Sequence, residues 1–349
     1  MTDSNLLHAA GLVVVAISIA ASIAVARRVA TARGLVARPN PIVQSHRAPV
    51  PYLGGTALIA AYLALLAGSW ALAGALPARD VLARSVVALA FVGFGTWDDA
   101  RPFGPWFKLL AQSVLCAAYL LAAGTPMESG LGLKLLILVG LVNAYNIIDV
   151  MDGLLCLVAG LAVLGLLATP SLAPAHLVPE LVVMLVGLCV LFLFNRPPAS
   201  IYAGDAGALT LGFLVGAWSL AAAGGAVAQR ALPVAGLWAI PLLELALVIP
   251  ARLGQGRSPL RGSPDHFSLR LQDQAGWSKW RVLGVTAVVG SCFAAAPWVA
   301  AHLAASAVAL YMLGGAATAG AAWLLLWRIP PRATEPNPAA TIAGVPDRR

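Results

Sequence analysis

The sequence predicts an all-α, polytopic membrane bundle of about eleven transmembrane helices, and three observations carry that prediction. Of 349 residues, 60% are hydrophobic and only 10% are charged. Soluble domains carry about 25% charged residues, and a water-exposed globule of this composition would lack the polar side chains to cover its surface. The apolar residues also fall in long runs, many close to the roughly 20 residues that cross a hydrocarbon core. Finally, the basic residues gather between alternate runs. The same composition excludes extended disorder over most of the chain. The cysteines, Cys116, Cys156, Cys189 and Cys292, each stand alone in an apolar run. They read as small buried hydrophobes, not as a disulfide framework.

The runs lie near 6–26, 52–76, 81–97, 107–123, 131–148, 153–169, 178–194, 207–224, 232–251, 281–301 and 305–327. Several are short or Gly-rich, so their ends are soft and the weaker ones are candidates for re-entrant segments. No basic segment precedes the first run, and Arg27, Arg28 and Arg33 follow it. It therefore reads as a retained span with its N-terminus outside, not as a cleavable signal. With that start, all 22 Lys and Arg except Arg79, Arg84, Lys134 and Arg230 fall on the inner side, as the positive-inside rule expects. The net charge of +8 then belongs to the cytoplasmic face, where anionic lipids or phosphorylated substrates suit it better than nucleic acid. Residues 1–327 form the expected membrane domain. The stretch 328–349, rich in Pro, Ala and Arg, reads as a disordered cytoplasmic tail.

Among 14 acidic residues, Asp98, Asp99, Asp149, Asp152 and Asp205 all fall at the inner ends of spans or in adjoining short loops. Carboxylates at membrane depth are costly unless they face a cavity or a partner. Three separate places in the chain bring them to one layer, which suits a shared polar site. Asp98-Asp99 is a pair that stays ionised only beside a compensating cation. Oxygen-only ligands favour a hard ion such as Mg²⁺ that bridges to phosphate, and Lys108 stands at the start of the next span. Asn146, Asp149 and Asp152 recur every three residues, on one helical stripe, and end at Gly153. Asn195 and Pro197-Pro198 close a span ahead of Tyr202-Ala203-Gly204-Asp205-Ala206-Gly207. There the glycines permit a tight turn, open N–H groups at the next helix start favour an anion, and Tyr202 offers a stacking face. The longest inner loop, 252–281, is cationic and holds Arg257, Arg261, His266 and Arg270. Arginine is the better bidentate phosphate ligand. His266 has few aliphatic neighbours in the loop, which favours a ligand-facing role.

These elements together resemble the polyprenyl-phosphate N-acetylhexosamine-1-phosphate transferase family, of the glycosyl transferase family 4 type. The resemblance runs from about Arg38 to Leu271. Arg38-Pro39-Asn40 and His46 to Gly55 are similar to the family's first inner loop. Asp98-Asp99 with Phe107-Lys108-Leu109-Leu110-Ala111-Gln112 is similar to its Asp-Asp motif. Asn143 to Leu154 and Asn195 to Gly207 are similar to its Asn-x-x-Asp-x-x-Asp-Gly-Leu and Gly-Asp-Ala-Gly motifs.

The resemblance implies transfer of a sugar-1-phosphate from a UDP-sugar to polyprenyl phosphate, with release of UMP and a requirement for Mg²⁺ or Mn²⁺. It implies Asp205, Asp98 and Asp99 as catalytic and metal-binding residues. Lys108, Asn146, Asp149, Asp152, Asn195, Tyr202, His46, Arg257 and His266 are the implied substrate-binding set. The implied setting is a bacterial inner membrane with a cytoplasmic active site. The implied partners are the lipid phosphate, the UDP-sugar and the membrane, with no nucleic acid, and a homodimer is compatible with it. The chain departs from the family pattern at Val43 and Gln44, where Arg-Lys is usual, and at Val150, where Gly is usual. A His-x-His-His string is reduced to His266, with Ser268 and Leu269 at the other positions. These departures leave sugar identity open and motivate a catalytically silent lipid-sugar binder as the alternative. A transporter is the other alternative, but it would place its ionisable groups nearer the bilayer midplane within an internal repeat.

Overall fold

In a computed structural model, the described residues are 3–37, 49–74, 76–125, 130–171, 174–224, 232–260 and 262–330. The chain is helical almost throughout. The helices are α1 (Asp3–Ala32), α2 (Gly54–Ala73), α3 (Arg79–Ala100), α4 (Pro105–Ala122), α5 (Leu131–Ile148), α6 (Leu154–Leu167) and α7 (Val178–Asn195). They continue as α8 (Gly204–Ala223), α9 (Ala239–Gly254), α10 (Phe267–Asp273), α11 (Lys279–Ala294), α12 (Ala296–His302) and α13 (Ala305–Arg328). Two strands of two residues each, β1 (Val36–Ala37) and β2 (Val50–Pro51), pair antiparallel between α1 and α2. The hydropathy pattern gave no sign of this clasp.

Among the described residues, ten helical segments are long and apolar enough to span a membrane. The expected run 153–169 is the exception. It forms α6, only 14 residues, about 21 Å long and short of a full hydrocarbon core. Gly153, at a φ of 79°, breaks the chain before α6. The C-terminal ends of α5 and α7 reach the same cavity, through Asp149 and Asn195. From that end α6 runs into the bundle, walled in by α7 and α11.

The hub is α8. In its most apolar window 89% of residues are buried, because α2, α3, α5 and α6 surround it. Small residues let those backbones approach, the usual device of helix packing without a strong hydrophobic drive. A Cβ on Gly55 would overlap the Gly207 backbone and lie 2.5 Å from Ala203 O. One on Gly95 would lie 2.5 Å from Ala206 N. α2 and α3 therefore touch α8 at its first turn.

Arg84, expected on the outer side as a topology charge, is fully buried. Its Nη2 and Nε donate to Glu180 Oε1 and Oε2 at 2.8 and 3.0 Å. Tyr62 and Trp218 donate to the same carboxylate at 2.9 and 3.1 Å. One acid thereby ties α2, α3, α7 and α8 together. The ion pair survives inside because nearly every lone pair finds a donor.

Candidate active site

The site lies where α3, α5 and α7 end and α4 and α8 begin. Asp98, in the last turn of α3, is almost fully buried. Its Oδ1 accepts from Phe103 N at 2.7 Å, holding the turn into α4. Its Oδ2 accepts from Lys108 Nζ at 2.6 Å. The same ammonium donates to Asp205 Oδ2, also at 2.6 Å. Asp205 Oδ1 accepts from Asn146 Nδ2 at 2.9 Å. A lysine in the first turn of a helix opposes the helix dipole, and here two carboxylates offset that.

Asp99 does something different. Its Oδ1 accepts from Asp205 N at 2.9 Å and its Oδ2 from Ala206 N at 3.4 Å. The open N–H groups expected at the start of α8 thus meet a carboxylate of the chain itself, Asp99, and not a bound ligand. Gly204, with φ at 70°, makes the turn beside it. A Cβ at Gly204 would lie 2.6 Å from Asp99 Oδ2, so only glycine lets Asp99 reach the helix start.

A cavity of about 460 Å³ opens beside these acids. Tyr52, Asp99, Asn146, Asp149, Asp152, Asn195, Tyr202, Asp205 and His266 line it. Asp149, just past α5, has its pKa pushed up to about 7 by burial first, then by the charges of Asp205 and Asp152. Burial, then Asp152 and Asp149, pushes the Tyr202 phenol up. Asp152 Oδ2 accepts from Lys279 Nζ at 2.8 Å and from Ala199 N at 3.3 Å, while its buried Oδ1 has no partner among the described residues. Asn195 accepts from Gly153 N and donates to Ile201 O, both at 2.9 Å, so it also pins two loops together.

A second cavity, of about 390 Å³, adjoins the first and shares Asn146, Val150, Gly262 and His266 with it. Lys108, Asn143 and Arg252 give it a polar side, and Leu245, Ile249 and Leu260 an apolar one. Val150, at the position where the family pattern has glycine, thus stands on the seam.

The long loop folds differently from its reading as a cationic segment whose arginines meet phosphate. His266 is only 4% exposed, packed on α9 with Nδ1 paired to Glu244 Oε1 at 2.7 Å. Arg270 turns inward, donating to Asp265 O at 2.9 Å and to Leu326 O and Ile329 O at 3.1 and 2.8 Å. It closes the end of α13. Arg257 is exposed and lines neither cavity. Arg252 takes that place. His46, Arg38, Val43, Gln44 and Arg261 lie outside the described residues, as does 331–349 of the expected tail. Sequence reading missed Glu244, Lys279 and Tyr52. Glu244 carried a signal, as a lone acid within Leu242-Leu243-Glu244-Leu245-Ala246.

The geometry defines an acidic site at one end of the helix bundle, with one bridging lysine and two joined cavities. The family model described as glycosyl transferase family 4 matches residues 81–223, which span Asp98 to Asp205. A phospho-N-acetylmuramoyl-pentapeptide-transferase of Synechococcus sp. is 32% identical, covering 69% of this chain and 76% of that protein. A putative glycosyltransferase of Streptomyces coelicolor is also 32% identical, over 81% of this chain and 69% of its own length. The decaprenyl-phosphate N-acetylglucosaminephosphotransferase of Mycobacterium tuberculosis is 30% identical, over 74% and 73%. The chain belongs to the polyprenyl-phosphate sugar-1-phosphate transferases of glycosyl transferase family 4.

Proposed function

We propose that the chain transfers a sugar-1-phosphate, of the N-acetylhexosamine class, from a UDP-sugar to polyprenyl phosphate. UMP is released, and the lipid-linked first sugar of a cell-wall or surface polysaccharide is formed. The observation that carries this is the Lys108 bridge. Two carboxylates far apart in sequence, on the neighbouring helices α3 and α8, converge on one cation where a polar cavity meets one with an apolar wall. Such a junction suits a water-soluble diphosphate on one side and a phosphate with a hydrocarbon tail on the other.

The polar cavity accommodates the uridine and diphosphate. Tyr202 offers a stacking face, and the unpaired Asp152 Oδ1 accepts from a nucleoside N–H or O–H. Asp149, with its pKa near 7, is partly protonated at neutral pH and donates from that fraction. Lys108 and Arg252 meet the lipid phosphate, while Leu245 and Ile249 meet the start of its chain. An oxygen of that phosphate attacks the sugar-bearing phosphorus, the bond to the bridging oxygen breaks, and UMP departs with the electron pair. A phosphate monoester has a second pKa near 6, so Asp98 is needed to position the nucleophile more than to deprotonate it.

Among the described residues, no group of three His, Cys, Asp or Glu forms a ready metal cage. The donors nevertheless fit Mg²⁺ or Mn²⁺. Asp98 Oδ2 and Asp205 Oδ2 already share a cation, and hard oxygen donors with room for waters and substrate phosphate are what Mg²⁺ takes. Asp205 and Asp98 would hold the ion, and Asp99 would hold α8. When bound, the metal offsets the repulsion between two anionic phosphates.

Radiolabelled UMP release from UDP-N-acetylhexosamines with added polyprenyl phosphate tests the reaction. No release with any UDP-sugar, from protein that binds the nucleotide, would favour the silent binder. The bacterial inner-membrane setting, with the N-terminus outside and the site cytoplasmic, rests on the positive-inside asymmetry. A reporter fused after Arg349 should score as cytoplasmic; a periplasmic score would overturn it.

A further inference from the structure

We propose that Glu244 is a positioning residue for this reaction. It fixes the ring orientation and tautomer of His266, so that imidazole Nε2 faces the seam between the two cavities as a hydrogen-bond acceptor for an O–H or N–H of the sugar. The inference rests on the transferase reading above.

Glu244 sits inside α9 and is 1% exposed. A carboxylate at that depth is costly unless its oxygens are satisfied, and both are. Oε2 accepts from Phe267 N at 3.2 Å, and Oε1 pairs with His266 Nδ1 at 2.7 Å. A backbone N–H only donates and a carboxylate only accepts, so the network assigns a hydrogen to Nδ1. That leaves Nε2, which has no partner among the described residues, on a ring that borders both cavities.

In neutral imidazole the second nitrogen is then an acceptor. Diphosphate oxygens carry no hydrogen to offer it. A sugar hydroxyl or an acetamido N–H does. With the other two histidine positions of this loop occupied by Ser268 and Leu269, this one acceptor carries a larger share of sugar recognition.

Glu244→Gln is the discriminating change. An amide has one acceptor oxygen where two donors must be met. Either its NH₂ group opposes Phe267 N, or it faces Nδ1 and drives the hydrogen to Nε2. We expect kcat/KM for the preferred UDP-sugar to fall about 10- to 100-fold, the scale known for outer partners that orient metal-bound imidazoles. His266→Ala should lose at least as much. The double variant should lie within twofold of His266→Ala alone, because Glu244 acts only through the ring. Multiplying losses in the double variant, or turnover by Glu244→Gln within twofold of the parent, would overturn the proposal.

A second measurement needs no Glu244 variant. ¹⁵N-histidine spectra of the parent in detergent at pH 8, with the signal assigned by His266→Asn, should show Nδ1 protonated and Nε2 bare. The opposite tautomer would sink the idea. If the parent released no UMP from any UDP-sugar, the reaction assignment would fall instead, while the tautomer remains readable from the spectrum.

Discussion

A single methyl group added at Gly95 should cost on the order of 100-fold in activity. Gly95 lies in α3, one turn before Asp98, and faces the first turn of α8. A Cβ there would sit 2.5 Å from Ala206 N and 2.8 Å from Asp205 C, whereas ordinary contact begins near 3.4 Å. The obstacle is backbone, so no side chain can swing aside. α3 and α8 must separate by about 1 Å, the gap between those distances. That separation falls directly on the Asp98–Lys108–Asp205 bridge, whose two arms are each 2.6 Å. A misplacement of about 1 Å at reacting groups costs on the order of 100-fold in rate, about 2.7 kcal/mol of barrier. Overpacking itself costs about 1–3 kcal/mol of stability. Gly93 provides the control on the same helix, because a Cβ there meets nothing within 4 Å. Gly93→Ala should keep full turnover and gain up to about 1 kcal/mol from helix propensity. The assay is UMP release by both variants at matched folded concentration, with thermal melting in detergent. Turnover by Gly95→Ala within threefold of the parent would show that this close approach does not set the spacing of the acids.

Asp205→Asn should abolish turnover and Asp98→Asn should lower it at least about 100-fold, with the melting temperature of each close to that of the parent; near-normal activity in either would remove that residue from the chemistry. Asp149 should make the fold less stable as pH rises. Its carboxyl shifts from the usual 3.8 up to about 7, so between those values the native state holds more of the proton than the unfolded chain, and stability declines across that window. Melting of the parent from pH 4 to 8 against Asp149→Asn checks this: the variant should have the flatter profile, and equal slopes would refute it. Glu180→Ala should destabilise by about 3–5 kcal/mol, because it leaves the buried Arg84 guanidinium only its longer ion pair, with Asp80 at 3.5 Å. Loss of folded protein on extraction, eased by Glu180→Ala combined with Arg84→Met, is the expected readout.

Composition and run length determined the membrane bundle, because a hydrocarbon solvent dictates both the length and the polarity of whatever crosses it. They located ten of the spans, and they misjudged only the reach of α6, whose 14 residues look like any other apolar run until Gly153 is seen to turn the chain ahead of it. The motif spacing also carried Asp98, Lys108, Asn146, Asp149, Asp152, Tyr202 and Asp205 to one face, and the structure gathers all seven around the joined cavities. Roles were less legible than places. Asp98 and Asp99 are adjacent and chemically identical, yet one is bridged by lysine and the other holds two N–H groups of α8. Successive residues on a helix point about 100° apart, so only the placement of α4 and α8 separates them. In the same way, Arg257 and Arg270 read as equivalent cations until α13 claimed one of them. Glu180 and Glu244 stand in the sequence as lone acids among apolar residues, and only the structure closes four helices around the first and folds a loop histidine onto the second. Burial, pairing and tautomer are set by what approaches from elsewhere in the chain, and a linear pattern records only what a residue is, not what comes to meet it.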